Sequence, residues 1–225
     1  MVKCLKVKIL LKNLVEMNLQ LLKNLIKKIA PKRANSMYKL CIVGLGNPDK
    51  KYNHTRHNIG RDWLKDISTT YDVKFSNKLK FEAEIGESHS SSILWVIPSN
   101  YVNNSGNTIS KIIKSTNLKP SNFLILHDDL DLQIGSVRLK ESGGHGGHNG
   151  LRDIIKKIGS DKFNRLRIGI GHPGFKDDVT NWVLNKFSPE EKKQLEISYS
   201  KFCNVFDQIL ALDINAVQKI LHTEK

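Results

Sequence analysis

Apolar residues recur along the chain in two alternating patterns. Short, nearly unbroken runs stand at "KLCIVGLG" (39–46), "SILWVIP" (92–98), "FLILHDDL" (123–130) and "RLRIGIG" (165–171). Runs of that length, rich in Ile, Val and Leu, predict strands buried on both faces. Between them the spacing changes to the three- and four-residue steps of a helix: Ile59, Trp63, Leu64 and Ile67, then Ile109, Ile112 and Ile113, then Leu151, Ile154, Ile155 and Ile158. The stretch "SPEE" predicts another helix start, with Ser188 as N-cap, Pro189 at the first position and Glu191 closing a capping box. That helix is expected to turn Leu195, Ile197 and Phe202 toward the core, and a last helical segment is expected from about Asp207. Strands alternating with helices predict a single α/β domain, a twisted mixed (largely parallel) β-sheet covered by helices on both faces.

The first 37 residues break the alternation, so the chain divides into a basic extension, 1–37, and a body, 38–225. Leu11, Leu14, Leu22, Leu25 and Ile29 keep helical spacing until Pro31, but Lys12, Glu16, Lys23 and Lys27 interrupt every apolar run. The extension therefore predicts no transmembrane helix, and it lacks the apolar core and cleavage site of a signal peptide. It reads as presequence-like or as an over-called start ahead of Met37. Its lysine-rich, serine-poor composition points to a cytoplasmic protein, with the mitochondrial matrix as the alternative. It holds nine Lys/Arg and one acidic residue, a net of +8 out of the chain's +14. The remaining +6 on the body suits an anionic partner, of which nucleic acid is the commonest. Cys4, Cys41 and Cys203 share no metal-ligand spacing and form no even set, which predicts reduced thiols. No apolar surface stripe is evident in the body, so a monomer is expected.

Polar residues gather where the strand runs end. Asn47 follows the first in "VGLGNP"; Asn100, Asn103 and Asn104 follow the second; Asp128, Asp129 and Asp131 close the third; His57 opens the first helix. In open α/β sheets the carboxyl ends of strands converge on the ligand crevice. Several chemistries are poorly served. "GLGNP" starts like a dinucleotide fingerprint, but Pro48 and Asp49 interrupt it. No two histidines have the H-x-x-x-H spacing of a zinc helix, and no G-x-S-x-G elbow is present. What remains is a His–Asp pair with several asparagines. Imidazole accepts a proton from water near neutral pH, a carboxylate fixes its tautomer, and amides donate to a carbonyl and the charge developing on it.

Four motifs in order and spacing, "VGLGNPDKKYNHTRHNIG", "YVNNSG", "HDDLDLQIGSVRLKESGGHGGHNGLRDII" and "FNRLRIGIGHPG", resemble the bacterial-type peptidyl-tRNA hydrolase family over residues 39 to about 220. The resemblance implies hydrolysis of the ester between a peptide and the terminal ribose of tRNA, recycling tRNA from aborted translation without cofactor or metal. It implies His57 as base, Asp128 as its orienting carboxylate, and Asn47 and Asn103 as amides that bind the peptide end and stabilise the intermediate. Asn149 is implied to position substrate and water, and Tyr52 to stand at the cleft wall. Arg138, Lys140 and Arg167 are the candidates for holding tRNA phosphates. The glycines of "SGGHGGHNG" would let the loop approach the peptidyl–ribose junction, with His148 assigned to loop structure or substrate contact and His145 to a loop hydrogen bond. The chain departs from the family pattern at Asp49, usually Gly, and in "YVN", usually Phe-Met-Asn, so that Val102 replaces a cleft methionine. A non-catalytic RNA-binding or splicing-type relative of the same fold is the alternative reading.

Overall fold

The computed structural model describes residues 37–87 and 92–222. The expectations for the N-terminal extension and for Cys4 lie outside them. Among the described residues seven strands form one sheet, in the order β2-β3-β4-β1-β5-β7-β6. They are β1 (Leu40–Gly44), β2 (Lys74–Lys78), β3 (Ala83–Glu87), β4 (Ile93–Pro98), β5 (Phe123–Asp129), β6 (Val137–Lys140) and β7 (Asn164–Gly169). The four apolar runs are β1, β4, β5 and β7, which lie side by side at the centre and pair in parallel. β2, β3 and β6 were not predicted. They flank the centre and are joined to it, or to each other, by antiparallel ladders. β2 is largely exposed and β6 alternates buried and exposed residues, so neither carries an apolar run.

Alternate residues of the central strands feed two cores. Leu40, Ile42, Trp95, Leu124 and Leu126 face α1 (Ile59–Thr70) together with α5 (Pro189–Asn204), α6 (Phe206–Leu210) and α7 (Ile214–His222). Cys41, Val43, Leu94, Phe123 and Ile125 face α2 (Ser105–Thr116) and α3 (Asn149–Ile158). A short α4 (Val179–Leu184), which the periodicity did not suggest, precedes α5. The "SPEE" capping box forms: the Glu191 amide donates to Ser188 Oγ at 3.3 Å, and the Ser188 amide to Glu191 Oε2 at 2.7 Å. Ile197 corrects the sequence reading, because it is 60% exposed. The inward face of α5 is Leu195, Ser198 and Phe202, and a residue two positions after Leu195 lies about 200° round the helix.

The topology sets the site. The chain leaves β1 between β4 and β5, so the loops after β1 and β4 and the end of β5 meet at the switch point of the sheet. Gly60 brings the start of α1 onto β5: a Cβ there would lie 2.2 Å from the Leu126 carbonyl oxygen. This close approach carries His57, in the turn before α1, to the end of β5. No helix among the described residues is long and apolar enough to cross a membrane.

Candidate active site

A cavity of about 680 Å3 opens at this end of the sheet, lined among others by Asn47, Tyr52, His57, Asn103, Asp128 and Asn149. At its floor Asp128, only 3% exposed, accepts hydrogen bonds from two imidazoles. His57 Nδ1 donates to its two oxygens at 2.9 and 3.0 Å, and His148 Nε2 donates to Oδ1 at 3.0 Å. Burial by itself would raise the Asp128 carboxyl, but the two histidines hold it well below the usual carboxylate range. Burial also works against charging His57, yet the adjacent carboxylate outweighs it and leaves His57 above its ordinary value. With Nδ1 spent on Asp128, the lone pair of a neutral His57 sits on Nε2, which has no protein partner among the described residues.

His148 does more than shape the loop. As N-cap of α3 its Nδ1 accepts from the amides of Gly150 and Leu151 at 3.1 and 3.2 Å. The acceptor role keeps the proton on Nε2, from which it is donated in the hydrogen bond to Asp128. His57, Asp128 and His148 thus place three potential metal-ligand atoms within 4.8 Å of one another. The hydrogen bonding does not fit a cation there: a metal on His148 Nε2 would need the lone pair that the α3 amides hold at Nδ1. His127, buried behind them, donates from Nδ1 to the Asp128 carbonyl at 2.7 Å. Burial, with help from His148, pushes its pKa down to about 3.

The amide side of the cleft is built differently. Asn47 Oδ1 accepts from the Val102 amide at 3.0 Å, while Asn58 brackets its backbone, accepting from Asn47 N at 2.8 Å and donating to Asn47 O at 3.0 Å. The carboxamide is therefore oriented with Nδ2 left over, and Asn47 lines the cavity. Asn58 is 1% exposed and was missed in the sequence. Its signal was its place in "TRHN", beside the histidine. Val102 is buried, and its backbone rather than its side chain makes the contact to Asn47. Asn103 and Asn149 are exposed on the cavity wall, and the Tyr52 ring stands edge-on to Tyr101 with centroids 6.2 Å apart.

The glycine loop forms the third wall. Gly143, Gly146 and Gly147 take φ of +126°, +52° and +78°, conformations that glycine adopts at little cost. His145 Nδ1 accepts from the Gly147 amide at 3.1 Å, the expected loop hydrogen bond. What holds the loop down is Arg165, a residue the sequence reading passed over. It is 2% exposed and donates to the carbonyls of Gly143 and Gly144, with its guanidinium 4.5 Å over the Phe163 ring. Arg167, two positions along β7 and so on the same face, lines the cavity with Nε donating to Asp129 Oδ2 at 2.6 Å. Lys140 also lines it. Arg138 does not. Its guanidinium is turned to the end of α7, donating to the His222 carbonyl at 3.1 Å.

The arrangement is that of an α/β enzyme able to activate water on a carboxylate-backed histidine and present amides to a carbonyl. The chain belongs to the peptidyl-tRNA hydrolase family. The family profile described as peptidyl-tRNA hydrolase matches residues 41–225. Relatives named peptidyl-tRNA hydrolase include one from Marinomonas sp. (strain MWYL1), 37% identical over 187 residues, 82% of this chain and 96% of that protein. Another, from Francisella tularensis subsp. novicida, is 39% identical over 185 residues, 81% of this chain and 97% of that protein. Among solved structures, peptidyl-tRNA hydrolase from Acinetobacter baumannii superposes with a TM-score of 0.79 at 34% identity, over 85% of this chain and 98% of that one. A peptidyl-tRNA hydrolase in complex with N-propanol gives 0.80 at the same identity and coverage.

Proposed function

We propose that residues 38–225 hydrolyse the ester between a peptide and the 3′-terminal ribose of peptidyl-tRNA, with His57 as base. The observation that carries the reading is the His57–Asp128 hydrogen bond, which leaves His57 Nε2 free in a cavity also lined by Asn47, whose Nδ2 is unspent. His57 takes a proton from water as the oxygen attacks the ester carbon. Asp128 stabilises the imidazolium, and Asn47 and Asn103 donate to the carbonyl oxygen as it becomes anionic. Collapse of the intermediate breaks the bond to the ribose oxygen, which receives the proton from His57. The products are the peptide carboxylate and tRNA with a free ribose hydroxyl.

Asn149 positions substrate or water at the start of α3, and Tyr52 contributes the aromatic wall. Lys140 and Arg167 meet tRNA phosphates from within the cleft, and Arg138 from outside it. Phosphate contacts give affinity without sequence reading, as suits an enzyme acting on many tRNAs. The peptide bond that aminoacyl-tRNA lacks gives the cleft amides their basis for discrimination. We further propose that the chain acts as a monomer in the cytoplasm, the compartment being in keeping with its bacterial relatives. The test is hydrolysis of N-acetylaminoacyl-tRNA against free aminoacyl-tRNA, with a chelator present, for wild type and His57→Ala. Cleavage of the blocked substrate alone, lost in the variant, supports the reading; tRNA binding without cleavage of either overturns it in favour of a non-catalytic RNA-binding relative.

A further inference from the structure

Two loops meet across the cleft mouth, where a hydrogen bond runs from the Tyr101 hydroxyl to Asp49 Oδ2 at 2.6 Å. It is the second stitch between the same two loops, the first being Val102 N–H to Asn47 Oδ1. Tyr101 is 43% exposed, and little packing fixes so exposed a ring. Its hydroxyl bond does so, holding it edge-on at 81° to Tyr52, whose ring has Lys51 Nζ 4.8 Å from its centre. Both tyrosines line the cavity. Acid, phenol, phenol and ammonium therefore run in a string along one lip, with opposite charges at its ends and two aromatic surfaces between.

We propose that the Asp49–Tyr101 pair determines specificity for the acyl group: it holds the Tyr52–Tyr101 wall in place to pack the side chain of the residue esterified to tRNA, favouring large apolar or aromatic residues over glycine. This rests on the assignment of the Asn47 side of the cleft to the peptide. Tyr101 and Asp49 act through placement of the wall and not on the reacting atoms. A small acyl group leaves the wall unused, whereas a ring packed against it gains the interaction of an aromatic pair.

The experiment measures kcat/KM for N-acetylphenylalanyl-tRNA and N-acetylglycyl-tRNA with wild type, Tyr101→Phe, Asp49→Ala and the double variant. Each single substitution is expected to lower the phenylalanyl-to-glycyl ratio by about 3- to 10-fold, mainly through KM. The double variant is expected to lose no more than either single one, because both remove the same bond. Losses in the ratio that add in the double variant overturn the pairing. An unchanged ratio, or equal losses on both substrates, overturns the specificity role while leaving the hydrolase reading intact. A wild type that cleaves neither substrate overturns both.

Discussion

The two sides of the cleft spend their hydrogen bonds in opposite ways. On the histidine side the bonds run mostly inward: Asp128 holds two imidazoles, His148 holds the amides of α3, and Arg165 holds the glycine loop. His57 Nε2 is left over, in a residue that lines the cavity. On the asparagine side Asn58 and the Val102 amide use up all of Asn47 except Nδ2, and Asn103 and Asn149 keep their amides at the surface. Bonds closed within the protein set geometry and pKa, and those left open are available to substrate. A low-dielectric floor makes the closed set costly to disturb, and water over the open set makes it tolerant.

That contrast ranks the consequences of mutation. His57→Ala should lower kcat by 10²- to 10⁴-fold with little change in tRNA affinity, as measured by single-turnover hydrolysis beside a binding titration. Asn47→Ala should cost about 10²-fold in kcat, the scale of a lost oxyanion donor. Asn58→Ala, which never meets substrate, should reproduce a large part of that loss by freeing Asn47 to rotate. If Asn58→Ala keeps wild-type kcat while remaining folded, the bracketing of Asn47 is not what aims it.

The pH dependence separates the two sides further. His57 must be neutral to act and its pKa lies above the ordinary histidine value, so kcat/KM should rise with pH through a midpoint above roughly 6.5. The same pairing acts on stability with the opposite sense. A histidine raised on folding contributes stability that is complete below its unfolded pKa and is lost as pH rises through the folded one. In Asp128→Asn the carboxylate is gone and burial alone remains, so the residual activity should have its midpoint below that of wild type. On the acid side His127, whose pKa is depressed to about 3, contributes stability present above the unfolded histidine pKa and lost as pH falls toward 3. His127→Gln should flatten that acid limb in an unfolding titration.

His148→Asn retains an N-cap residue for α3 but cannot reach Asp128, so kcat and Tm should both fall. The smallest effects belong to the rim. Arg167→Ala should weaken tRNA binding and reduce its salt dependence more than Arg138→Ala, because Arg138 is turned toward the end of α7. Equal salt slopes for the two variants would remove the distinction between cleft and outer contacts.

The sequence by itself determined the four central strands, the helices that cover them and the residue types of the site. Central parallel strands are buried on both faces and so must be written as apolar runs, and the polar residues at their ends stand out against them. It also indicated that His57, Asp128, Asn47 and Asn103 would converge, since the ends of adjacent strands share a crevice, while Asn149 came from the family resemblance. Only the tertiary structure decided which partners those residues have. β2, β3 and β6 flank the core, where half-exposed residues leave no apolar signature. Asn58, Arg165 and the bond from His148 to Asp128 are pairings across 11, 21 and 20 residues of chain. Nothing local names the partner in such pairs, because a buried polar residue is written with the same letter as an exposed one. The exposure of Ile197 and the turn of Arg138 toward α7 follow from helix phase and from which helix covers the sheet edge, and both are settled only by packing.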